Sequence, residues 1–169
     1  PGEHDGVTIS FEAAPEPVIT AGGYQFVLEK VTQAASELWS MAFLPDGSIL
    51  AAQKNGVLTL FKNGTSVGNI EGIPQVWNGG QGGLLAVKPH PSYASNGWIY
   101  LTFSDPGPGN VASMTRVVRG KLDGLRWVNQ QDIYRAAEKF YTQNYAHFGS
   151  RIAFVHDYLY FSLGERQHP

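Results

Sequence analysis

Leu38-Trp-Ser-Met-Ala-Phe-Leu44, then Pro45-Asp46-Gly47, then Ser48-Ile-Leu-Ala-Ala-Gln53 is the stretch that decides the fold. Pro presets the first dihedral of a tight turn, Asp caps the turn, and Gly takes the position with φ > 0. Two short apolar runs around such a turn predict a β-hairpin. Asn55-Gly56 is a second tight-turn signal, Val57-Leu-Thr-Leu-Phe61 follows it, and Asn63-Gly64 ends that strand. Three hairpin-linked strands in so short a stretch make a meander.

The pattern then recurs. Gly83 to Lys88 and Trp98 to Phe103, joined by a loop from Pro89 to Gly97, predict a second hairpin. Met114 to Leu122 predicts a third strand, Asp123-Gly124 its turn, and Leu125-Arg-Trp-Val128 the start of a fourth. A further copy begins at Ser150 to Val155, turns at His156-Asp157 and returns over Tyr158 to Leu163. The copies start near Leu38, Leu84 and Ile152, at spacings of 46 and 68 residues. The first spacing matches one blade of a β-propeller. The second is a blade plus an insertion, placed at Asn129 to Ala146. Ile133, Ala136, Ala137 and Phe140 on one side predict a short helix there, roughly over Gln131 to Lys139. The fold class is thus all-β. A β-sandwich of about ten strands shares the periodicity; the repeat register favours the propeller. Blade one is expected at about 37–70, blade two at about 82–134 and the start of blade three at about 149–163. Ahead of them, Pro1 to Gly23 reads as a loose arm and Tyr24 to Val31 as a strand.

Composition narrows the function classes. The chain has 169 residues, a net charge of −2 and a pI near 6.2, which excludes a basic nucleic-acid surface as its theme. Charged residues are 15% and hydrophobic residues 43%, the opposite of a disordered chain. With no cysteine, disulfides, thiolate metal sites and cysteine nucleophiles are all excluded. No apolar run is long enough to span a membrane. Pro1 at the start points to a processed or trimmed chain. About 46 residues per blade gives this length some two and a half blades, too few to close a ring of four to eight.

Chemistry concentrates where copies begin. Gly79-Gly-Gln-Gly-Gly83 precedes the first strand of the second copy, and His147-Phe-Gly-Ser-Arg151 opens the third. The glycines either mark a tight close approach of backbones or clear space for a ligand, with Gln81 as the polar side chain presented. The first strands of propeller blades line the channel, so Gln81 and His147 should share one rim of it. An antiparallel hairpin returns its far end beside its start, so Glu165 should come near His147. A carboxylate on one imidazole nitrogen fixes the tautomer and raises the basicity of the other. The plainer reading makes Glu165 a surface partner of Arg166 or Arg151. His4, His90, His156 and His168 show no metal-ligand spacing; His90 in Pro-His-Pro reads as structural. Asp105 to Asn110 reads as an exposed loop.

Taken in order, Trp39-Ser-Met-Ala-Phe-Leu-Pro-Asp-Gly47, Gly80-Gln-Gly-Gly-Leu-Leu85, His90-Pro91 with Trp98-Ile-Tyr-Leu, and His147-Phe-Gly-Ser-Arg151 with Gly164-Glu165 resemble the glucose/sorbosone dehydrogenase family, in particular its aldose sugar dehydrogenase branch. The resemblance covers Tyr24 to Gln167. It implies a six-bladed propeller that binds pyrroloquinoline quinone (PQQ) with calcium and oxidises the anomeric hydroxyl of aldoses to lactones, outside the cytoplasm. It makes His147 the general base, Gln81 the amide beside the reacting centre and quinone, and Glu165 the support of the His. An external electron acceptor is implied too. An Asp that precedes the His in the soluble glucose branch is Ala146 here, which favours the broader aldose branch; Ser150 stands where Gly is common. The quinone clamp and the calcium-binding backbone are expected beyond Pro169, so no metal ligand is assigned within this chain. Tyr24 to Val31 resembles the strand that closes the ring. Open blades would expose sheet edges that invite association. The alternatives are a non-catalytic propeller fragment or binding module and a metal-dependent lactonase.

Overall fold

The computed structural model describes residues 18–167; most of the expected N-terminal arm lies outside them. Two compact units are present, one ending at Val31 and the other beginning at Thr32. In the first, β1 (Val18–Ala21) and β2 (Tyr24–Val27) form an antiparallel hairpin, turned by Gly22 and Gly23 at positive φ. Val18 to Ala21, at the end of the stretch read as a loose arm, is therefore a strand.

The second unit opens with β3 (Leu38–Phe43), β4 (Ile49–Gln53), β5 (Val57–Lys62) and β6 (Thr65–Asn69), a four-stranded antiparallel meander. The Pro-Asp-Gly turn forms as its residues dictate. The Asp46 carboxylate accepts from the Ser48 backbone N–H at 3.0 Å and its hydroxyl at 2.9 Å, and Gly47 sits at φ 81°. Strand β6 carries one large apolar residue, Val67, and is not signalled by periodicity.

Next come β7 (Leu84–Pro89), β8 (Ile99–Pro106), β9 (Ser113–Asp123) and β10 (Arg126–Arg135), a second sequential meander. The helix expected over Gln131 to Lys139 is not there. Its first half is strand β10, pairing Gln131 with Arg119 and Asp132 with Val118. Cross-strand side chains decide this: Arg119 Nε donates to Gln131 Oε1 at 2.8 Å and Arg116 forks onto Asp132. Pairing with a long neighbouring strand outweighs a weak four-residue apolar spacing. Only a single 3-10 turn, Glu138–Phe140, remains of the helix. Finally β11 (Gly149–Val155) and β12 (Tyr158–Leu163) form the third copy's hairpin about His156-Asp157.

These are two blades of a β-propeller and the first hairpin of a third. The core lies between the two complete sheets: Leu50 and Leu58 of the first meet Leu84, Ile99, Leu101, Phe103 and Val118 of the second. Strands β3, β7 and β11 lie at the edges of their sheets and beside one another. The Ser40 hydroxyl accepts from the Val87 N–H across the first junction, and Thr102 Oγ1 donates to the Ser150 carbonyl across the second. Each of these strands begins with a register shift, at Leu38/Ser40, Leu84/Ala86 and Gly149/Ile152. The internal repeat thus extends to the bulge that opens each inner strand.

Candidate active site

Three sequence-selected side chains meet at the start of β11. His147 precedes that strand by two residues, and its backbone N–H donates to Gln81 Oε1 at 2.9 Å. Gln81 in turn donates its own N–H to the Tyr145 carbonyl at 2.7 Å. The loop before β7 and the loop before β11 are thereby laced together. On the other side, His147 Nδ1 is in close contact with Glu165 Oε1, delivered by the far end of the hairpin just past β12. Both side chains remain about half exposed, at 48% and 55%.

The glycines explain how the loops come so close. A Cβ on Gly82 would fall 2.8 Å from Trp77 and 2.9 Å from Ser104 Oγ, and one on Gly80 would run into the Tyr145 carbonyl. The glycine-rich run therefore serves the close approach of backbones, and that approach is what presents Gln81. Trp77 lies under it, against Tyr145 and Phe148 with ring centroids at 5.3 and 6.2 Å.

Backbone conformation singles out the same place. Among the described residues, eight non-glycine positions have positive φ. Four of these are Asn or His in turns and at a bulge outside the site: Asn63, Asn110, Asn129 and His156. The other four, His147, Ser150, Arg166 and Gln167, cluster at the opening and closing ends of the third hairpin. Such conformations cost of order 1–3 kcal/mol each and collect at functional sites. Ser150 at φ 86° also explains why Gly suits its position.

Electrostatics follow from the contacts. The contact with His147 holds the Glu165 carboxyl below the usual range, helped by its own backbone N–H and that of Gln167. An ionised carboxylate only accepts, so Nδ1 carries the hydrogen, and in the neutral imidazole Nε2 then holds the lone pair. Arg166 is not the partner of Glu165. It is buried, 2% exposed, and burial pushes its guanidinium down to about 10, still charged at neutral pH. Sequence reasoning considered it only as a surface ion pair; a Gly-Glu-Arg run gives no signal of which way the Arg turns.

The loop that ends in His147 has two more anchors absent from the sequence reading. Asp105, read as part of an exposed loop, is 4% exposed. It accepts from Tyr141 Oη at 2.6 Å and pairs with Arg116 at 3.0 Å and Arg135 at 3.3 Å. Thr142 bridges to Ser113 in the same loop. His90 is structural: its Nδ1 accepts from the Ser92 N–H at 3.0 Å, and its ring lies against Tyr100 and Phe154.

Comparison with known proteins matches the chain to a family. The pattern of the family described as Glucose / Sorbosone dehydrogenase matches residues 35–169. The chain belongs to the glucose/sorbosone dehydrogenase family. It is 37% identical over 132 residues to the aldose sugar dehydrogenase YliI of Escherichia coli K12, covering 75% of this chain and 35% of that protein. The crystal structure of the soluble aldose sugar dehydrogenase from Escherichia coli in its apo form is 29% identical, with a TM-score of 0.75, over 82% of this chain and 41% of that one. The PQQ-bound aldose sugar dehydrogenase of Streptomyces coelicolor is 27% identical, with a TM-score of 0.71, over 85% of this chain and 42% of that one. The chain therefore spans well under half the length of these relatives. No helix among the described residues is long and apolar enough to cross a membrane.

Proposed function

We propose that this chain is the base-bearing part of a PQQ-dependent aldose sugar dehydrogenase, oxidising the anomeric hydroxyl of a sugar to a lactone. One observation carries the reading: an exposed imidazole whose Nδ1 is held by the Glu165 carboxylate and whose backbone is held by Gln81. Nε2 of His147 is then the base for the C1 hydroxyl proton, and Glu165 stabilises the imidazolium that forms. Gln81 spends its Oε1 on the loop and keeps its Nε2 as a donor toward the reacting oxygen or the cofactor rim. These residues fit the reacting edge of a quinone, and His147 and Gln81 would lie against it. PQQ, when bound, supplies the hydride acceptor.

Calcium is different. Among the described residues no three His, Cys, Asp or Glu converge as a metal cage, so no step is assigned to an ion here. A metal-dependent lactonase needs carboxylate or Asn ligands around the channel, and the blade-entry positions here offer Gln81 and His147 instead. An aldose substrate, an external electron acceptor, calcium elsewhere in the protein and a periplasmic or secreted location complete the proposal. This chain alone should be inactive.

The test uses the full-length protein loaded with PQQ and calcium. Sugar-dependent reduction of an artificial electron acceptor should occur, and His147→Ala should lower kcat by about 100-fold or more, the scale of a lost general base. Turnover that survives this change would remove His147 from the reaction.

A further inference from the structure

Arg166 is a buried cation with no carboxylate among its hydrogen-bond partners, and those partners surround His147. Its Nε donates to the Ala146 carbonyl at 2.9 Å, and Nη2 contacts the Asn144 carbonyl. Nη1 donates to the Ser113 carbonyl of β9 at 2.8 Å. The guanidinium lies over the Phe148 ring, 3.6 Å from its centroid. In return, Asn144 Nδ2 donates to the Arg166 carbonyl at 2.7 Å. Arg166 thus holds the residue before His147 by its carbonyl and the residue after it by its ring.

The energetics make this arrangement informative. Burying a guanidinium among neutral carbonyls is expensive, and an apolar side chain of similar size would stabilise the fold at least as well. What an apolar side chain cannot do is fix two loop carbonyls and a strand carbonyl in one plane. The planar five-donor fork of Arg does so, and the three-donor ammonium of Lys does not. His147 itself sits at φ 56°, a conformation that its surroundings must impose. Glu165 and Arg166 are adjacent, one held against the ring of His147 and the other gripping the backbone around it.

We propose that Arg166 is a positioning residue: it locks the left-handed backbone of His147 so that the imidazole meets Glu165 and presents its other nitrogen to the substrate. The inference rests on the reading of His147 as the base, and the two are tested separately.

The experiment uses the full-length, PQQ-loaded protein carrying Arg166→Lys, with histidines labelled by nitrogen-15. The Nδ1–H resonance of His147, assigned by its loss in His147→Gln, reports the contact with Glu165. In Arg166→Lys this resonance should shift or vanish. The kcat should fall about 10- to 100-fold, the cost of misplacing a catalytic group by roughly 1 Å, with little change in sugar KM. An unmoved resonance, or an unchanged kcat, overturns the proposal. Should Arg166→Lys fail to fold, Asn144→Ser tests the same point, since it keeps the buried charge and removes the return bond. It should move the resonance and kcat the same way by a smaller amount, and no movement in either overturns the proposal. Full turnover in His147→Ala would instead defeat the base assignment, a result that the resonance does not depend on.

Discussion

Gly164→Ala is the most direct test of how the third hairpin builds the site. Gly164 is not among the positive-φ glycines, so its backbone accepts an L residue. The obstacle is space. A Cβ there would collide with the carbonyl group of His147 and fall 3.0 Å from the Gly149 N. Both neighbours are backbone, and the Gly164 N–H is bonded to the Phe148 carbonyl at 3.1 Å, so neither side yields easily. Overpacking of this kind costs about 1–3 kcal/mol. Whatever relief occurs must separate the loop carrying His147 from the turn carrying Glu165. A displacement of about 1 Å at a catalytic group costs on the order of 100-fold in rate. Gly124→Ala is the control: its φ is 57°, but a Cβ there meets nothing within 4 Å, so in the turn between β9 and β10 it carries backbone strain alone. Denaturant melts and kcat with an artificial acceptor, measured on the full-length protein, should separate the two. Gly164→Ala should lose both stability and kcat, and Gly124→Ala stability alone. Wild-type kcat in Gly164→Ala would refute the claim that this close contact sets the His147–Glu165 geometry.

Two other changes probe different layers. Glu165 has its pKa lowered in the fold, so its contribution is present above the unfolded value and is lost as pH falls through the folded one. Glu165→Gln should therefore lower stability modestly at neutral pH, leave it little changed in acid, and so flatten the acid limb of the stability–pH curve; equal acid sensitivity in the variant would count against the pairing. Phe103, fully buried between the first two blades, should cost about 3–5 kcal/mol as Phe103→Ala in a urea melt, with the blades losing their packing together.

Much of this was legible in the sequence, and the misses have physical causes. Pro45-Asp46-Gly47, Asn55-Gly56 and Asn63-Gly64 are local signals: each states its own backbone geometry, and each turn formed where it stands. Glu165 beside His147 followed from the antiparallel return of a hairpin. Strand β6 was silent because its Thr-Ser-Val-Gly-Asn run lies on an exposed sheet edge and needs little apolar patterning. The expected helix failed because Gln131 and Asp132 take partners from β9, a contact that a local window does not contain. Arg166 and Asp105 were missed for one shared reason. A charged residue reads as surface unless its partners are known, and theirs come from 11 to 53 residues away.

The candidate base sits in the third copy although all three copies open their first strand with a bulge. What differs is the support. In the third copy the chain runs through positive φ at His147, Gly149 and Ser150 within four residues. Strain of that density must be offset nearby, and blade two provides part of the offset. Thr115 Oγ1 donates to the Phe148 carbonyl at 2.6 Å and Thr102 Oγ1 to the Ser150 carbonyl at 2.9 Å. Both hydroxyls are buried, so these bonds are not traded against water. Gln81, also from blade two, takes the His147 N–H. The strained loop of one blade is therefore stabilised by side chains of the one before it. A hairpin carrying the same His-Phe-Gly-Ser residues without a preceding blade would relax to ordinary backbone geometry and lose the alignment of His147 with Glu165. Adjacency of two blades, and not the motif alone, is what makes the imidazole a candidate base.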